Sequence, residues 1–242
     1  MHGGGLTAVD RRFKRRRARQ TIRGLRDRWG DKLLTVLTVL LLVMMFVIAP
    51  LQAVFDGGFA YFAGGIALLM IASALILSGS WFVMLLMAAA FALNIGVVLN
   101  RFRGAQGDYD LHVLSVGWLV LSITLGVVVA RAVFASGQVS YHRIVGAILL
   151  YILVALAFVA LYLIVGLTAP DAFKDMVFDD ARELTSQLIY FSCSTLTTLG
   201  YGDIVPVNPF ARSLANLEAI VGQLYPAILI GRLVTLQLQE RG

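Results

Sequence analysis

The sequence predicts an all-α membrane protein of six transmembrane helices, with a re-entrant half-helix and a glycine-containing loop between the last two. Three observations predict it. Of 242 residues, 59% are hydrophobic and 14% charged, where a soluble domain carries roughly 25% charged residues. Charged positions bound apolar intervals matching the ~20 residues needed to cross a hydrocarbon core. Finally, "LTSQLIYFSCSTLTTL" is apolar but short and rich in hydroxyls, and "GYGD" follows it. Such a segment suits a half-crossing.

Residues 1–32 form the first unit, with eleven basic residues from Arg11 to Lys32 against three aspartates. Positive charge beside a first span marks the cytoplasmic side. Within this unit Ile22, Leu25 and Trp29 recur at i, i+3 and i+7, the pattern of a short amphipathic helix on an anionic leaflet. A plain positive flank with chance periodicity is the alternative. Most of the net charge of +6 sits here, so membrane orientation explains it and no nucleic-acid partner is expected. The basic stretch is too long for the leading region of a cleaved signal peptide, and no convincing cleavage site follows.

Residues 33–135 hold four spans. Lys32 to Asp56 encloses the first, and the uncharged interval from Asp56 to Arg101 is long enough for two. "SGS" at Ser78–Ser80 is the natural break between them. Asp110 to Arg131 makes the fourth, and "ASGQVSYH" links it to the last unit, residues 136–242. Arg143 to Asp171 bounds the fifth span and Pro209 to about Gln237 the sixth, interrupted by Glu218 and Arg232. Six crossings return the C-terminus to the cytoplasmic side with Arg131, Arg143, Arg232 and Arg241, while Arg101 and Arg103 fall outside. The single cysteine, Cys193, rules out a disulfide within the chain.

Asp180 followed three residues later by Glu183 resembles a capping box, so a helix is expected from near Ala181 to about Thr197. Its C-terminal carbonyls carry partial negative charge and favour a cation at mid-membrane. Thr198-Leu199-Gly200-Tyr201-Gly202 comes next. A backbone turning all its carbonyls to one side must alternate between ordinary and positive φ, which glycine enters freely. One chain supplies one wall; four around an axis would supply rings of oxygens replacing the hydration shell of potassium.

"TTLGYGD" followed by "IVPVNPFAR" resembles the signature of the potassium channel family, whose usual filter reads TVGYG. The resemblance runs from the fifth span to the end. It implies an outer helix at 143–167, a turret at 168–180, a pore helix at 181–197, a filter at 198–203 and an inner helix at 209–238, in a homotetramer. It further implies that Thr198, Leu199, Gly200 and Tyr201 coordinate potassium as the permeant ion, with no other cofactor. Gly202 would lie at the outer mouth, and Asp203 would tie the loop to the scaffold. Leu199 replaces the commoner valine on the side away from ions. Tyr190-Phe191 stand where relatives often carry two tryptophans, and Ser194 where some carry glutamate; Thr197, Ser194, Tyr190 and Asp203 are the supporting residues.

Gly222 resembles the inner-helix hinge glycine, and Pro226 bends the helix one turn later; close helix packing is the other reason for a glycine there. Glu218, ionisable inside the membrane, reads as a brace for the filter rather than an ion contact, with half-helix hydroxyls such as Ser194 or Thr197, or a water path behind the filter, as partners. Arg212 is expected to contact the outer loop. The fourth span has one arginine, Arg131, whereas voltage sensing needs several, each contributing about 2.3 kcal/mol per 100 mV. The first four spans therefore read as a structural surround. Asp171, Asp175, Asp179, Asp180 and Glu183 would make an anionic outer rim that gathers cations.

The sequence thus points to a potassium-selective channel in a bacterial plasma membrane, not conventionally voltage-gated. The alternatives are a weakly selective cation channel and a potassium transporter subunit, though the latter carries four such units in one chain. No enzyme is expected: His2, His112 and His142 are scattered, and neither a G-x-S-x-G nor an H-E-x-x-H is present.

Overall fold

The computed structural model describes residues 35–54, 65, 81–102, 110–134, 141–169, 171–174, 176 and 181–239. The basic segment 1–32, nearly all of the second expected span with its break at 78–80, Arg103, Asp175, Asp179 and Asp180 lie outside them.

Among the described residues three helices are long and apolar enough to cross a membrane, over Asp110–Arg131, Arg143–Thr168 and Pro209–Arg232. Thr35–Leu51 and Leu85–Val97 are shorter apolar helices. In chain order the elements are α1 (35–54), α2 (Trp81–Phe102), α3 (Asp110–Val133), α4 (Tyr141–Thr168), β1 (Phe173–Lys174), α5 (Ala181–Leu196), β2 (Val205–Pro206) and α6 (Pro209–Gln239). Helix α1 contains a π turn at Met44–Ile48, closed by the Ala49 N–H donating to Met44 O. Pro50 follows directly and has no N–H to continue the α ladder. A single π turn beside it absorbs the mismatch.

The core lies between α3 and α4, which make the most extensive helix contact. Trp118, Leu121, Leu125 and Val129 of α3 are buried with Leu149, Leu156 and Val159 of α4. Helix α2 reaches α3 through a buried asparagine, Asn94, seated over Gly117. A Cβ at Gly117 would fall 1.9 Å from Asn94 Nδ2, so any larger residue would displace the asparagine amide. Helix α5 packs against α4, α6 and the end of α1.

Helix α6 starts at a cap: Asn208 Oδ1 accepts from the Phe210 N–H at 2.8 Å, and Pro209 sits at the first helical position, where its missing N–H costs nothing. Further along, Pro226 lies inside the helix. Its absent N–H would have bonded the Gly222 carbonyl four residues back.

The turret holds more order than its polar sequence implies. Residues β1 and β2 pair antiparallel, Phe173 opposite Pro206 and Lys174 opposite Val205. Val207 N and Asn208 N both donate to Ala172 O, at 2.9 and 3.2 Å. The reason is apolar anchoring: Ala172, Phe173 and Met176 are buried, and the Phe173 ring meets Tyr162 and Phe191 edge-on. A two-residue ladder is short enough that the molecule remains helical throughout its bulk.

Candidate functional site

The loop after α5 begins as a helix cap. Leu199 N donates to Ser194 O at 2.8 Å and Thr198 N to Thr195 O at 3.0 Å. These are the two bonds of a Schellman motif, with Thr198 in the left-handed position normally given to glycine. Thr198 has φ 58°, an outlier for a β-branched residue, costing on the order of 1–3 kcal/mol. The last carbonyls of α5 all find partners: Cys193 O accepts from Thr197 N and Thr197 Oγ1, and Leu196 O from Tyr151 Oη at 3.3 Å.

From there the sign of φ alternates. Thr198, Gly200 and Gly202 have φ of 58°, 60° and 81°, while Leu199 and Tyr201 are not among the positive-φ residues. The N–H groups of Thr198, Leu199 and Gly200 turn back to α5; Gly200 N reaches Ser194 Oγ at 3.1 Å. Among the described residues no peptide is cis, and across a trans peptide the carbonyl points opposite to the following N–H. The carbonyls of Thr197, Thr198 and Leu199 therefore face away from the half-helix. Alternating handedness sorts donors to one side and acceptors to the other. The Leu199 and Tyr201 side chains lie on the donor side, lining a cavity of about 450 Å³ with Tyr151, Cys193 and Met45.

Ser194 thus holds the loop with both its carbonyl and its hydroxyl. Tyr190 stacks on Tyr201, ring centroids 5.9 Å apart, and its hydroxyl is in hydrogen-bonding reach of the Asp203 carboxylate. Phe191 contributes packing alone, edge-on to Tyr162 at 5.0 Å. Arg212 Nε donates to Pro206 O at 3.0 Å, a backbone contact beside the loop's exit.

Glu218 is fully buried, and its partners differ from the hydroxyls expected. It meets Ser192 Oγ at 2.5 Å through Oε1 and Tyr162 Oη at 2.5 Å through Oε2, whereas Ser194 faces the loop and Thr197 bonds Cys193 O. On a helix, position 192 is half a turn from 194, and only the 192 side faces α4 and α6 together. Ser192 Oγ is also 3.0 Å from Ala155 O. A hydroxyl has one proton and a backbone carbonyl can only accept. Both Ser192 contacts are hydrogen bonds at once only when the carboxyl supplies the proton between Glu218 and Ser192. A protonated carboxyl, donating to Ser192 and accepting from Tyr162, satisfies both contacts at once, whereas a carboxylate leaves the single Ser192 proton to one of them.

Gly222 lies against the base of the loop: a Cβ there would sit 1.9 Å from Leu196 O. Next to it, Gln223 Nε2 donates to Thr198 Oγ1 at 3.0 Å. Tyr225 Oη donates to Ala147 O at 2.7 Å, and its ring stacks on Tyr151 at 5.6 Å. Pro226 is exposed. Sequence reading passed over Gln223, Tyr151, Tyr162 and Ser192; the only signal was a polar side chain inside an otherwise apolar span.

Two long apolar helices, α4 and α6, thus flank the half-helix α5, whose cap opens into a loop with outward-turned carbonyls. Residues 148–238 match the model of the ion channel family. Protein LctB of Bacillus caldotenax is 31% identical over 87 residues, 35% of this chain and 64% of its own. The inward rectifier potassium channel Kirbac3.1 of Paramagnetospirillum magnetotacticum is 34% identical over 76 residues, 31% of this chain and 22% of its own. Two-pore potassium channel 4 of Arabidopsis thaliana is 31% identical over 91 residues, 37% and 32% of the two chains. The aligned part thus spans between 22% and 64% of the length of these relatives. No solved structure matches. The resemblance to the potassium channel family rests on these matches, at low identity.

Proposed function

We propose that this chain is the subunit of a homotetrameric, potassium-selective channel that conducts passively and lacks a conventional voltage sensor. In this reading Thr198, Leu199, Gly200 and Tyr201 offer carbonyl oxygens to potassium, with the Thr198 hydroxyl at the inner end, Gly202 at the outer mouth and Asp203 tied back through Tyr190. The observation that supports it most is the alternation of φ at Thr198, Gly200 and Gly202 with the N–H groups turned to α5. Oxygens so held can replace water around a dehydrated cation. The named relatives that are potassium channels favour potassium among cations. Six spans, both termini cytoplasmic, a bacterial plasma membrane and anionic lipid under the basic residues 1–32 complete the reading.

Reconstituted into liposomes, the protein is expected to give a current reversing near the potassium equilibrium potential and blocked by barium. A reversal potential unmoved by exchanging potassium for sodium would overturn the selectivity and leave a weakly selective cation channel.

A further inference from the structure

The base of the loop is held from below by a residue that belongs to neither the loop nor the half-helix. Thr198 occupies a left-handed conformation at φ 58° that a β-branched residue keeps only when its surroundings over-determine it. The cap bonds fix its backbone. Its side chain is fixed by one contact, the Gln223 amide at 3.0 Å from Oγ1. Beside it the α6 backbone is held against the loop, because a Cβ at Gly222 would sit 1.9 Å from Leu196 O.

We propose that Gln223 is a positioning residue that sets the cation affinity of the innermost ring of the filter through the Thr198 hydroxyl. The inference rests on the channel reading above. A hydroxyl oxygen offers two lone pairs. The amide N–H of Gln223 occupies one and draws electron density from the oxygen, leaving a weaker donor for the ion. Fourfold repetition would multiply the effect around the axis. Because Gln223 sits on α6 and Thr198 on the loop, the ring's affinity is tied to where the inner helix stands.

Barium probes this directly, since a divalent ion of nearly potassium's size responds strongly to oxygen donor strength. Removing the amide with Gln223→Met, which preserves length, frees the hydroxyl. Barium applied from the cytoplasmic side is then expected to half-block at a concentration about fivefold lower than in wild type, the worth of one net hydrogen bond. Gln223→Asn, whose arm is one methylene short, is expected to shift block in the same direction and keeps the test alive if the Met variant does not assemble. A purely structural role for Gln223 would reduce the amount of assembled channel and leave the half-blocking concentration where it was. Unchanged or weaker block in conducting variants overturns the inference. A wild-type protein without potassium selectivity overturns the channel reading, and the inference with it; a selective wild type with unmoved block sinks the inference alone.

Discussion

Glu218 is the residue on which most depends, because it joins three helices through two short bonds at a depth where water is scarce. Deleting it to Leu strands the Tyr162 and Ser192 hydroxyls, and an unsatisfied buried polar group costs about 1–3 kcal/mol; thermal unfolding of Glu218→Leu in detergent is expected to show a marked loss. Glu218→Gln is the sharper measurement. An amide can accept from Tyr162 and donate to Ser192, reproducing a neutral acid bond for bond, so this variant is expected to stay within about 1 kcal/mol of wild type. A larger loss would mean that the carboxylate is ionised. Gly222→Ala places a methyl carbon 1.9 Å from Leu196 O, and crowding of this kind costs about 1–3 kcal/mol; lowered stability together with a disturbed filter is the expected result. That Glu218 matters was legible from one acidic residue in an apolar span. Which hydroxyls it meets was not, since that depends on the rotation of α5 between its neighbours.

Among the elements, α6 owes its start to a side chain. Asn208→Ala removes the acceptor for Phe210 N and is expected to cost about 1 kcal/mol, readable as a lowered unfolding midpoint. The same asparagine also donates its own N–H to Ala172 O, so the segment before β1, the exit of the loop and the start of α6 meet within a few residues. Charge spacing alone located the three long apolar helices, because a charge inside the hydrocarbon is expensive and so marks the ends of spans. The β1–β2 ladder escaped notice: two residues per strand give no alternation to read, and Pro206 argues against a strand. The π turn in α1 was equally silent, although Pro50 flagged some irregularity nearby. The left-handed threonine was hidden because sequence logic assigns positive φ to glycine, and only the cap bonds at Ser194 and Thr195 reveal that Thr198 takes that role.

At the scale of the whole molecule, coverage is uneven. The apolar stretch of α4 is 61% buried while that of α6 is 11% buried. Along α6, Leu217, Ile220, Leu224, Ile228 and Val234 are exposed, as are Leu199 and Tyr201 in the loop. Four copies would cover such surfaces, and the mass of the detergent-solubilised assembly is expected to correspond to four chains; a monomer or dimer that still conducts would break the proposed geometry. The sequence-based ground for several copies was that one loop cannot ring an ion; the extent of the bare face was not legible there.

The contact between Gly222 and Leu196 constrains how the last helix can flex. At that point the helix and the base of the loop press backbone against backbone, so neither can move closer without driving a backbone oxygen into a backbone carbon. The next carbonyl ladder rung, from Gly222 to Pro226, is the one that proline leaves vacant. Bending at that vacant rung leaves the half of α6 before Gly222 as a stator, with the glycine as its bearing surface rather than as the joint.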